Sequence, residues 1–126
     1  MAQKILIIED DPFLSSLLKN RLSKEGFDIA VARDGEEGLK TLSTDQPNLV
    51  LLDIILPKKS GFEVMSEVRK NPALEEIPVI IISNLGQPED VRRGTELGVI
   101  EYFVKAKTSI DDLVQKIRLF FSSGDK

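Results

Sequence analysis

The chain contains no cysteine and no histidine. Without thiols, disulfides and thiol redox chemistry are excluded, and a reducing setting such as the cytoplasm is expected. Without imidazole, histidine acid–base catalysis and a histidine phosphocarrier are excluded within this chain. No apolar run approaches the length of a membrane span, and the run Ile5 to Ile8 is too short for a secretion signal. Positive charge is not in excess. The net charge of -4 argues against a surface for the nucleic-acid backbone, so no direct DNA binding and no membrane contact are expected. GxGxxG and GxxxxGK[ST] are both missing, and no Ser/Thr-rich loop follows the first apolar run, which disfavours a nucleotide or flavin module. There is no linker, low-complexity tract or sign of a second domain. The 126 residues read as one domain, 1–126, large enough to fold without a disulfide or metal staple.

What is present is an alternation. Short apolar runs at Ile5 to Ile8, Asp28 to Ala32, Leu49 to Leu52, Val79 to Ile82 and Tyr102 to Val104 predict five strands. The first, third and fourth are almost wholly apolar, as in strands covered on both faces of a parallel sheet. Amphipathic patterns between them predict helices. The first carries Leu14, Leu17, Leu18 and Leu22, with Asp11 as N-cap, Pro12 at the first helical position and Gly26 near its end. The second runs from about Glu36 to Leu42. The third carries Phe62, Met65 and Val68 and stops before Pro72. The fourth spans Pro88 to Gly98 on a thin stripe, Val91 and Leu97. The fifth carries Ile110, Leu113, Val114, Ile117, Phe120 and Phe121. Ser122 to Lys126 reads as a frayed end. Five βα units with right-handed crossovers predict an α/β fold, a parallel sheet with helices on both faces.

The polar residues at strand ends carry the chemistry. In such sheets ligands bind outside the carboxyl ends of the strands. Glu9 and Asp10 follow the first strand. They suit Mg²⁺, which prefers oxygen ligands, or simply favour the dipole of the helix that Asp11 caps. Asp53 follows four apolar residues and precedes Ile54, Ile55 and Leu56. An ionised carboxylate there requires a partner or a metal, the alternative being a surface strand cap. Ser83 after the fourth strand can donate to a phosphoryl oxygen or serve turn chemistry. Lys105 after the fifth can hold a phosphate or be solvated. Acids, lone aspartate, hydroxyl and ammonium at four strand ends together point to one site for a divalent cation and a phosphoryl group.

These segments resemble the receiver domain of two-component response regulators. The matching stretches are Lys4-Ile-Leu-Ile-Ile-Glu-Asp-Asp-Pro12, Leu51-Leu-Asp-Ile-Ile-Leu-Pro57 with Gly61, Ile80-Ile-Ile-Ser83, and Gly98-Val-Ile-Glu-Tyr-Phe-Val-Lys105. The resemblance covers essentially the whole chain. It implies a flavodoxin-like (βα)5 fold with strand order 2-1-3-4-5 and Asp53 as phosphoryl acceptor. It also implies Mg²⁺ or Mn²⁺ held by Asp10, Asp53, the Ile55 carbonyl and, through water, Glu9. Lys105 would pair with the phosphoryl group, Ser83 would be the switch hydroxyl, and Tyr102 would reposition as the loop after the fourth strand moves. Alternatively, Tyr102 is a plain edge-strand aromatic. The donor would be a histidine kinase or histidine phosphotransfer protein. The signal would leave through the fourth helix, fifth strand and fifth helix to an unidentified protein partner, and the chain would catalyse nothing beyond its own aspartyl phosphorylation and dephosphorylation.

Two departures from the family pattern bear on phosphoryl lifetime. Ala106 stands where proline usually follows the lysine, and Asn84 where a small residue usually sits. Ile55 and Leu85 are apolar at positions that often carry water-orienting groups, so slow hydrolysis of phospho-Asp53 is expected. Two other classes compete. A haloacid-dehalogenase-like hydrolase usually needs a second acid where Ile55 stands. A degenerate receiver that only binds partners would not need the complete set of acids and Lys105.

Overall fold

The structure is a computed structural model that describes residues 2–123. Five strands, β1 (Lys4–Ile8), β2 (Asp28–Ala32), β3 (Leu49–Leu52), β4 (Val79–Ser83) and β5 (Glu101–Val104), alternate with five helices. These are α1 (Pro12–Lys24), α2 (Gly35–Asp45), α3 (Gly61–Lys70), α4 (Pro88–Glu96) and α5 (Ile110–Ser123). The strands form one parallel sheet in the order β2-β1-β3-β4-β5, as the resemblance implies.

Alternation along each strand builds two apolar layers, because successive side chains leave opposite faces. Ile5, Ile7, Leu49, Leu51, Ile80 and Ile82 meet Leu18 and Leu22 of α1 and Leu113, Val114 and Ile117 of α5. Leu6, Ile8, Val50, Leu52 and Val79 meet Leu42 of α2 and Val64, Met65 and Val68 of α3. Each such side chain, fully buried, contributes about 1.5–3 kcal/mol of transfer free energy. A smaller third cluster, Ile54, Phe62 and Ile81 with Leu85 and Tyr102 against it, lies under α4.

Several boundaries differ from the sequence reading. β1 includes Lys4, β5 begins at Glu101, and Ser83 closes β4 rather than following it. α2 starts at Gly35, capped by Asp34, and runs on to Asp45, ending at Gln46 in the left-handed region (φ 45°). α4 ends at Glu96, two residues before Gly98. Ser122 and Ser123 continue α5 instead of fraying, and residues 124–126 lie outside the described residues. After β5, Lys105–Lys107 close one 3-10 turn, and every peptide bond among the described residues is trans. None of the described helices is long and apolar enough to cross a membrane.

Candidate functional site

Register places the acids. β1 and β3 pair Ile8 with Leu52, so Glu9 and Asp53 each come one residue beyond a matched pair. The Asp53 amide still donates to the Ile8 carbonyl at 3.0 Å, and the Glu9 amide to the Ala32 carbonyl at 3.0 Å. Both backbones are thus held by the sheet to the point where the carboxylates emerge. On the far side β4 and β5 pair Ser83 with Val104, leaving Lys105 as the next residue.

The side chains converge. Lys105 Nζ lies 3.0 Å from Glu9 Oε1 and 3.1 Å from Asp53 Oδ2. Asp53 Oδ1 accepts from the Ile54 amide at 2.7 Å and the Ile55 amide at 3.4 Å. Glu9 Oε2 accepts from the Asp11 amide at 3.0 Å. Glu9 and Asp53 are buried, at 1% and 3% exposure, whereas Asp10 is exposed on the rim. One carboxylate oxygen each of Glu9, Asp10 and Asp53 falls within 4.8 Å of the others. Three carboxylates against one ammonium leave an excess of negative charge in a largely desolvated place.

That excess shows in Glu9. Burial pushes its carboxyl from the usual 4.5 up to about 7, and the Asp53 charge adds to the rise. The Asp11 amide and Lys105 oppose it incompletely. Beyond the Lys105 ion pair, Glu9 Oε1 has no hydrogen-bond donor although it is buried. Lys105 balances the other way. Burial lowers its pKa, but hydrogen bonding and charge from Glu9 and Asp53 outweigh this and raise it. An all-oxygen donor set with a buried, donor-poor oxygen suits a hard divalent cation, Mg²⁺ or Mn²⁺.

Ser83 is fully buried, and its Oγ accepts from the Leu85 amide at 3.2 Å. The Tyr102 hydroxyl donates to the Leu85 carbonyl at 2.6 Å, with its ring half-buried. Burial pushes the Tyr102 phenol up, helped by Asp90 and Asp53. The Leu85 peptide therefore joins Ser83 to Tyr102, a link that spacing alone does not reveal. Ile55 is 56% exposed, and Asn84 and Ala106 are exposed at the rim. Residues that the sequence reading did not assign to the site also enter. Phe62 packs beside Ile54, and Arg93 stacks on its ring at 4.2 Å. Gly61 passes so close to β3 that a Cβ there would lie 2.3 Å from the Asp53 carbonyl oxygen. The segment Leu51 to Pro57 with Gly61 gave a signal for the glycine; nothing marked Phe62 as more than core.

Comparison with known proteins points one way. The sequence profile described as the response regulator receiver domain matches residues 5–118. The probable transcriptional regulator ycf27 of Porphyridium aerugineum is 38% identical over 98% of this chain and 50% of its own length. The chain spans about half the length of the curated relatives it matches. Among solved structures, the Mn²⁺-bound form of response regulator Rcp1 is 32% identical, with a TM-score of 0.81 over 96% of this chain and 93% of that one. The phosphorylated cyanobacterial phytochrome response regulator RcpA is 29% identical, with a TM-score of 0.87 over 100% of this chain and 98% of that one.

Proposed function

The chain belongs to the response regulator receiver domain family, and from that premise we propose that it is a phosphorylation-driven switch with Asp53 as the acceptor. The observation that carries this reading is the pairing of Lys105 with both Asp53 and Glu9 at 3.1 and 3.0 Å. A structural ion pair needs one acid. A lysine shared by two buried acids, with a third on the rim, is built to receive further charge of both signs.

Glu9, Asp10, Asp53 and the Ile55 carbonyl would hold the divalent cation. When bound, it neutralises the excess negative charge and so admits an anionic phosphoryl donor. A carboxylate oxygen of Asp53 attacks the phosphorus of a partner's phosphohistidine. An O–P bond forms, the P–N bond breaks, and the electron pair leaves on the imidazole nitrogen. The Ile54 and Ile55 amides fix the carboxylate for this approach, so positioning supplies much of the rate. Lys105 then pairs with the phosphoryl oxygens. Ser83 gives up the Leu85 amide and turns its hydroxyl to the phosphoryl group. The Leu85 peptide shifts, and Tyr102, bonded to its carbonyl, shifts with it. The change is read on α4, β5 and α5 by another protein. Neighbouring structures described as Mn²⁺-bound and as phosphorylated support the metal and the modification.

Addition of beryllofluoride with Mg²⁺ tests this by amide NMR. Shifts at Ser83, Leu85, Tyr102 and Lys105 are expected in the parent and not in Asp53→Asn. An unchanged parent spectrum, or equal shifts in the variant, contradicts the reading.

A further inference from the structure

The two ends of α4 are held in different ways. Within the helix only Gly94 is buried, and the apolar side chains that anchor it to the core, Leu97 and Val99, come at its C-terminal exit. At its C-terminal end, Arg69 of α3 donates Nε to the Leu97 carbonyl at 2.7 Å and Nη2 to the Gly98 carbonyl at 3.1 Å. Its Nη1 donates to the Glu75 carbonyl at 2.6 Å, in the loop between α3 and β4. One half-buried guanidinium thus ties this end of α4 to its own helix and to that loop. Charge-assisted bonds of this kind are about twice as strong as neutral ones, and the guanidinium sits where cations favour a helix dipole. Gly98 (φ 86°) turns the chain there, and the Ile100 amide reaches the Val79 carbonyl at 2.9 Å, fastening the exit to the sheet.

Among the described residues, the N-terminal end has no comparable tether. Its capping bonds are local, among Gln87, Asp90 and Val91. Residues 86–89 are exposed. This end reaches the sheet through Leu85, whose amide and carbonyl bond to Ser83 and Tyr102. Between the ends, Gly94 lies flat on Tyr102: a Cβ there would meet the ring at 2.9 Å and Ile81 at 3.1 Å. Arg93 on Phe62 adds a single cation–π contact at an exposed site.

We propose that α4 is a lever hinged at its C-terminal end by Arg69, released at its N-terminal end through the Leu85 peptide, and bearing on Tyr102 at Gly94. The proposal rests on the phosphoryl-switch reading for its trigger. Arg69 is a positioning residue: it touches no reacting atom, but it makes the response a tilt of the segment Leu85 to Val91 rather than a loosening of the whole helix.

Amide hydrogen exchange tests it, with and without beryllofluoride and Mg²⁺, in the parent, Arg69→Met and Arg69→Lys. In the parent, the ligand is expected to speed exchange at Leu85, Asp90 and Val91 and leave Leu97 to Ile100 protected. Arg69→Met without ligand is expected to speed exchange at Leu97 to Ile100 on the order of tenfold, the scale of one lost charged hydrogen bond. With ligand, it spreads the change along the helix. Arg69→Lys, one ammonium for three carbonyls, falls between, and it carries the test if Arg69→Met does not fold. Equal loosening of both ends in the liganded parent overturns the hinge. So does unchanged exchange at Leu97 to Ile100 in the variants, or a uniform rise along α4 before any ligand is added. Should beryllofluoride alter nothing in the parent, the switch reading fails, and the unliganded variants still decide the hinge.

Discussion

Glu9 is the residue whose protonation sets how the acidic strand ends behave. Its folded pKa, about 7, lies above the usual 4.5. Between those values the folded chain binds more proton than the unfolded one, so stability falls as pH rises. The contribution is complete below about 4.5 and lost by the time pH passes about 7. Urea denaturation of the metal-free protein is expected to show this decline, and Glu9→Gln to remove it. An identical pH profile in the variant contradicts the assignment. Mg²⁺ should stabilise the parent more above pH 7 than below it, since the cation binds the ionised form. Lys58 is strained in another way, with φ 70° in the loop after β3. A left-handed residue with a Cβ costs about 1–2 kcal/mol, and its ion pair with the half-buried Asp34, long at 3.8 Å and with the ammonium exposed, offsets little. Lys58→Gly should raise the unfolding free energy by about 1 kcal/mol; a loss of stability would show that the ion pair outweighs the strain. Ile55, exposed beside Asp53, offers no acceptor to orient an attacking water. A phospho-Asp53 lifetime of minutes or longer in Mg²⁺ follows, shortened by Ile55→Asn, and a parent half-life of seconds refutes it.

At the scale of elements, α3 matters most to the site. Its N-terminus is closed by a capping box between Ser60 and Glu63, and Gly61 lets it rest on the backbone at Asp53. A Cβ would meet the Asp53 oxygen at 2.3 Å and the Ile54 Cα at 2.7 Å, backbone atoms that cannot swing aside. Gly61→Ala should destabilise by about 1–3 kcal/mol, the usual cost of overpacking, and slow phosphorylation by displacing Asp53. Normal stability with normal phosphorylation would show that α3 is free to retreat. The elements were legible in unequal degree. β2 and β3 match their expected limits because apolar runs there end abruptly in charge or turn residues. α2 ran longer because Ser43, Thr44 and Asp45 extend it with a polar turn and Gln46 takes the stop that glycine usually provides. The thin stripe expected of α4 is thinner still, with Gly94 as its buried residue. Part of what holds the C-terminal end of α4 lies on α3, in Arg69, which local periodicity reads as one more charge on a helix end.

For the molecule as a whole, the sheet does the gathering. β1 lies between β2 and β3, so the crossover after β1 runs to one side and the crossover after β3 to the other, and the crevice outside the carboxyl ends of these two strands is where such folds bind ligands. That is why Glu9, Asp53 and Lys105, far apart in sequence, were legible as one site from their strand-end positions alone. Their sharing of a single ammonium was not legible, nor was the Leu85 peptide between Ser83 and Tyr102, because both depend on side-chain reach and loop path rather than on pattern. On the proposed reading, this convergence makes Asp53 a phosphoryl acceptor. Intact mass after incubation with acetyl phosphate and Mg²⁺ tests it most directly. A gain of one phosphoryl group in the parent and none in Asp53→Asn is the expected result; no gain in either, or an equal gain in both, contradicts it.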